Sequence, residues 1–137
     1  MIKELTQNFF QTSFLSLIWV MVITSMSNTD NLIYYNYFWR LILISILFGL
    51  SFGVLYPYLW KYSTTKSNFN VIVCSTDNTI IILCSIYLYS PHLFNQISPY
   101  LFALLVINMI LHYVIFKLYS DYLNQKYIME IQNRKRL

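Results

Sequence analysis

The chain has 137 residues, of which 58% are hydrophobic, 19% aromatic and 10% charged, with a formal net charge of +4. Soluble domains carry about a quarter charged residues, and so short a chain has too small an interior to hide this much apolar surface from water. The composition excludes a water-soluble globular domain and predicts an all-α integral membrane protein, while the basic residues, confined to short flanks and the tail, act as topology signals and not as a surface for direct nucleic-acid contact.

The first apolar run covers residues 8–26, with Gln11, Thr12, Ser13 and Ser16 clustered toward its start. A cleaved signal peptide is one reading, since Lys3 precedes the run and Ser25 and Ser27 form a small-x-small pair after it. The run is longer than a signal core and Lys3 is neighboured by Glu4, so a retained span is expected. Residues 28–36 form a short polar connection. Tyr34, Tyr35, Tyr37, Phe38 and Trp39 make an aromatic cluster suited to headgroup depth, and Arg40 snorkels back to the same interface.

Residues 41–60 carry no charge and are long enough to cross a bilayer core of roughly 30 Å at about 1.5 Å per residue. Ser45, Gly49 and Gly53 recur there every fourth residue, and both glycines of the chain fall in this run. Small side chains at that spacing line one helix face and allow close approach of another helix, in this chain or in a second copy forming a homodimer. Pro57 kinks the last turn or sits near a helix end. Aromatics and Lys61 mark the interface, and residues 63–70, with Lys66, form a polar loop.

A third span is predicted over 71–89, a turn over SPHLFNQISP with Pro91 and Pro99, and a fourth span over 100–117 closed by Lys117. Cys74 and Cys84 share the third span. Ten helical residues separate them by about 15 Å, beyond the reach of a disulfide, so both read as buried thiols. Residues 1–118 are thus expected to form a four-helix transmembrane domain. Four spans put Lys3, Lys61, Lys66, Lys117, Lys126, Arg134, Lys135 and Arg136 on one side and only Arg40 on the other, which places both termini in the cytoplasm.

Residues 119–137 read as a basic amphipathic cytoplasmic helix. Tyr119, Leu123, Tyr127 and Ile131 recur every four residues, with Asp121, Gln125 and Gln132 elsewhere on the wheel. Such a stripe, with Lys126, Arg134, Lys135 and Arg136, suits a lipid surface, a protein partner or a solvated end that fixes topology.

Asp77 is the only acid within a predicted span. An acid at a helix centre costs about 2.5 to 3.5 kcal/mol on insertion scales, so a partner is expected. Counting depth from each boundary gives His112, with Asn108, Asn78 and Ser75 adding polar capacity. The pair either pins the third and fourth spans together or forms a proton- or ligand-sensitive switch. No glycine-rich phosphate loop, HExxH or CxxC occurs, so neither an enzyme nor a metal or other cofactor is expected. A small proton-coupled exporter would carry an acid in its first span, which residues 8–26 lack. A transporter or channel subunit acting as an oligomer through the Ser45, Gly49 and Gly53 face, with Asp77 and His112 as coupling groups, is the alternative.

FGLSFGVLY in the second span, the loop KYSTTKSNFN and the stretch HYVIFKLYSDYLNQKYIMEIQNRKRL resemble a family of small bacterial four-span membrane proteins of uncharacterised domain, whose genes often sit beside LytTR-type DNA-binding regulators. The resemblance covers about the last 100 residues. Its most specific part is the last stretch, with Tyr113, the run from Tyr119 to Tyr122, and Asn133. It departs from the family early in the third span, where Asp77 and Asn78 stand in place of an expected histidine. The resemblance implies a plasma-membrane protein that restrains a transcription factor at the cytoplasmic face.

Overall fold

The computed structural model describes residues 1–27 and 35–134. Among the described residues, five α-helices follow one another: α1 (Ile2–Ser27), α2 (Tyr35–Phe48), α3 (Ser67–Tyr89), the short α4 (Pro91–Ile97) and α5 (Leu101–Arg134). The segments Ile2–Met26, Tyr37–Tyr62, Ser67–Tyr89 and Pro91–Tyr122 are each long and apolar enough to span a membrane, so the chain is a multi-pass membrane protein. Of the expected polar connection at 28–36, residues 28–34 lie outside the described residues, as do Lys135 and Arg136 of the tail.

The helices are longer than their apolar runs. The first begins at Ile2 and not at residue 8, because Lys3, Glu4, Leu5 and Gln7 are good helix formers that carry the helix past its apolar run. The fourth does not stop at residue 117 but continues unbroken to Arg134. The segment expected as a turn after the third span is itself ordered into α4 and a 3₁₀ turn, Ser98–Tyr100. Ser90 is its N-cap, accepting from the Leu93 N–H at 3.4 Å, and Pro91 occupies the first helical position, where its missing N–H costs nothing.

The second span departs from regular α geometry. After α2 it widens into π-helical turns over Gly49–Leu55 and again over Tyr58–Tyr62, on either side of Pro57. Proline has no N–H to donate and glycine no side chain to hold the turn, so the ladder slips to wider spacing around them. The end of this widened helix is stapled by buried Asn70. Its amide donates to the Leu59 carbonyl at 2.9 Å, and its carbonyl accepts from the Thr65 hydroxyl at 2.5 Å, which also contacts Ser63 Oγ. Asn70→Ala leaves a buried carbonyl without its donor, at a cost of about 1 to 3 kcal/mol. The expected result is faster proteolytic cleavage at 63–66 in detergent and a lower unfolding midpoint.

The spans pack antiparallel and in series: α1 on α2 and its π-helical continuation, the second span on α3, and α3 on α5. The buried residues concentrate in the second span and α3, among them Leu41, Ile44, Ser45, Ser51, Cys74, Ser75 and Thr79, whereas Thr24 is the only fully buried side chain described in α1 and none is described in α5. The outer faces of α1 and α5 are broad and apolar, as lipid contact requires. The expected buried thiols divide: Cys74 is buried and Cys84 exposed, ten residues on α3 placing them 1000° apart, or 80° around the axis.

Candidate functional site

Ser45, Gly49 and Gly53 line the face of the second span that meets α1. Ser16 Oγ lies 3.5 Å from the Ser45 carbonyl, and a Cβ on Gly49 would overlap Ser13 Oγ. At Gly53 the two backbones touch: a Cβ there would lie 2.7 Å from Phe9 Cα and 2.8 Å from the Asn8 carbonyl oxygen. Of the two partners the spacing allowed, the face is taken by a helix of the same chain, which leaves these three residues covered against a second copy. The antiparallel pairing continues to the helix ends, where Glu4 accepts from Lys61 Nζ and from Tyr62 Oη, both at 2.5 Å. Lys61, expected to face lipid or a partner, is therefore tied to the start of α1, with 59% of its side chain still exposed.

On its opposite side the second span meets α3, and there the intramembrane polar residues gather. Asp77 accepts a hydrogen bond from buried Ser51 in the widened segment. The expected Asp77–His112 pair does not form. Asp77 and Asn78 are neighbours on α3 and so point about 100° apart: Asp77 shares the Cys74 face toward the second span, and Asn78 shares the Ser75 and Thr79 face toward α5. Asn108, not His112, is the α5 residue level with this part of α3: its side chain reaches Ser75, Asn78 and Thr79, which bracket Asp77 in sequence.

Asn108 carries the contact between α3 and α5. Its amide nitrogen donates to the Ser75 carbonyl at 2.9 Å and to Thr79 Oγ1 at 2.8 Å, and its oxygen accepts from Asn78 Nδ2 at 3.2 Å. One turn further along α5, His112 is met by Tyr56 of the second span. Tyr56 Oη lies 2.6 Å from His112 Nε2 and 3.1 Å from the Cys74 carbonyl, while His112 Nδ1 lies 3.0 Å from the Asn108 carbonyl. Trp60 stacks on Phe116 with ring centroids 5.3 Å apart, and a groove of about 400 Å³ lined by Tyr56, Trp60, His112, Ile115 and Phe116 opens beside the histidine.

Ser51 and Tyr56 are the functional candidates that sequence reading missed. Both stand in an apolar run whose serine and tyrosine read as packing and interface residues. The signal that points to them is positional: Ser51 follows Gly49 by two and so lies opposite the glycine seam, where α3 must be. Tyr56 is the last tyrosine before Pro57, at the depth of Cys74. Among the described residues no three His, Cys, Asp or Glu side chains gather into a metal-holding group.

At the far end of α5, Lys117, Lys126 and Ile131 are exposed, as are Leu118, Tyr122, Ile128 and Met129 between them, and Lys66 is exposed in the loop. The side chains of Tyr119, Leu123, Tyr127 and Arg134 lie outside the described residues. No protein-family model, curated protein or solved structure matches this chain.

Proposed function

We propose that this chain is a non-enzymatic regulator in the bacterial plasma membrane, with both termini in the cytoplasm, which binds and restrains a cytoplasmic partner, a LytTR-type transcription factor, through its tail and the loop 61–70. The observation that supports this reading is the continuity of α5. Its 34 residues form one helix, and beyond Tyr122, where the segment long and apolar enough to span a membrane ends, it continues for about 18 Å to Arg134 at about 1.5 Å per residue. A helical extension of that length, bearing exposed Ile128, Met129 and Ile131 together with Lys126, offers a soluble partner an apolar surface with a basic flank. The loop beside it contributes Lys66.

The alternative, an oligomeric transporter assembled through Ser45, Gly49 and Gly53, is weakened because α1 occupies that face. The test of the regulator is a crosslinking pull-down from native membranes with the full chain and with a chain ending at Asp121. A LytTR-type DNA-binding protein captured only by the full chain is the expected result. Its capture by both chains would move the contact off the tail, and recovery of nothing but further copies of the same chain would overturn the proposal.

A further inference from the structure

At the α4 end of the bundle, the second span and α3 enclose a groove of about 610 Å³. Leu43 and Leu47 of α2 form one wall and Ile80 and Leu83 of α3 the other. Phe94 of α4 lies at the end, its ring 5.3 Å from that of Tyr87. Along α3 the lining runs from Ile80 to Leu88, about 12 Å at about 1.5 Å per residue. That is close to half of a hydrocarbon core of roughly 30 Å, so the groove is about one leaflet deep.

Depth and lining together select the occupant. A membrane-spanning helix of a second copy needs a seam through the full thickness, with small side chains that let backbones approach. This groove stops halfway and is walled by leucine and isoleucine. An acyl chain of one leaflet needs only apolar walls of that depth. The mouth of the groove adds charge. Arg40 precedes Leu43 by three residues and Leu47 by seven, so all three share one face of α2. The Tyr37–Tyr89 ring contact, 5.8 Å between centroids, sets the level. Arg40 comes three residues after Tyr37, which puts it at the height of Ile86, next to Tyr87 of the groove. A helical side chain leans toward the N-terminus of its helix, and here that carries the guanidinium outward to headgroup depth. Arg40 is exposed, and the one ion pair among the described residues joins Lys61 to Glu4, so its forked N–H donors have no carboxylate there.

We propose that the groove holds one acyl chain of an anionic phospholipid from the leaflet at the α4 end, with the lipid phosphate held by the Arg40 guanidinium. The proposal goes beyond the partner-binding reading and does not depend on it. The methylenes of the chain supply the contacts that the two walls lack across the gap, and the guanidinium binds phosphate oxygens through paired N–H donors. A zwitterionic lipid brings the same phosphate with a cation beside it. One arginine is therefore expected to favour the anionic lipid about fivefold.

The experiment uses the full chain in phosphatidylcholine nanodiscs containing a small fraction of phosphatidylglycerol with a diazirine in one acyl chain. Adducts formed on illumination are mapped by peptide mass spectrometry, with exposed Phe10, Phe14 and Ile18 of α1 reporting bulk lipid. The expected result is labelling concentrated on residues 43–47 and 80–88, suppressed by unlabelled phosphatidylglycerol and about fivefold weaker with a phosphatidylcholine probe, while α1 does not distinguish the headgroups. Arg40→Gln is expected to erase that preference and Arg40→Lys to keep it. Neither removes a buried side chain. Ile80→Trp, at an exposed position, fills the inner end of the groove and is expected to remove its adducts without changing those of α1. Equal labelling of the groove by both probes, or a preference that survives Arg40→Gln, would overturn the proposal. So would copies crosslinked through exposed Cys84 in the groove wall, with the groove free of lipid adducts.

Discussion

Gly53→Ala is expected to unseat α1 from the second span and to lower stability by about 2 kcal/mol. The new Cβ would lie 2.7 Å from Phe9 Cα and 2.8 Å from the Asn8 carbonyl oxygen. Both are backbone atoms, so no rotamer change relieves the clash and one helix must move away from the other along its length. Overpacking of this kind costs about 1 to 3 kcal/mol or more, against a gain of about 1 kcal/mol from replacing glycine in a helix. Gly49→Ala is the internal comparison. Its Cβ meets Ser13 Oγ, the end of a side chain that can rotate or be removed. The loss there is expected to be smaller and to be recovered in the Gly49→Ala, Ser13→Ala double variant, whereas Phe9→Ala should not rescue Gly53→Ala. Unfolding in mixed micelles with increasing denaturing detergent measures all four. Wild-type stability for Gly53→Ala would mean that α1 does not sit at this distance.

Asn108→Leu should free α5 from α3 while leaving the rest of the fold in place. The substitution keeps the shape of the side chain and removes its contacts with the Ser75 carbonyl, Thr79 Oγ1 and Asn78. Interhelical hydrogen bonds in a membrane average about 0.6 kcal/mol, so the three together account for about 2 kcal/mol. No lipid-excluding force replaces them, since the apolar side chains of α5 are as well solvated by lipid as by α3. Spin labels at exposed positions 72 on α3 and 113 on α5 are expected to give a broadened and longer distance distribution in Asn108→Leu. An unchanged distribution would show that van der Waals packing alone seats α5.

The small-residue seam was legible because its cause is local: residues four apart share a helix face, and only small ones let backbones approach. Sequence alone left open which helix fills it. Asp77 and His112 were legible as polar residues in apolar runs, and Asn108 as a third member. Their pairing was not, because it depends on how far α3 is rotated, and one residue of register turns a side chain by about 100°. Ser51 and Tyr56 were hidden for a related reason. The π-helical turns around Gly49, Gly53 and Pro57 change the register of the second span midway, so an α-helical wheel drawn across them misplaces everything beyond Phe48.

By itself, the sequence determined the number of spans, roughly where each lies along the chain and the helix face that could be packed closely. These follow from hydrophobic length, side-chain size and rise per residue, all of which are properties of a single helix. Only the tertiary structure decided that α1 covers the glycine seam, that Asp77 turns to Ser51, that Tyr56 stands between His112 and Cys74, and that the fourth span and the tail are one helix. Those outcomes depend on the rotation of each helix about its axis and on its neighbours, where apolar composition is silent because lipid and protein solvate it alike, and where hydrogen-bond geometry makes the choice.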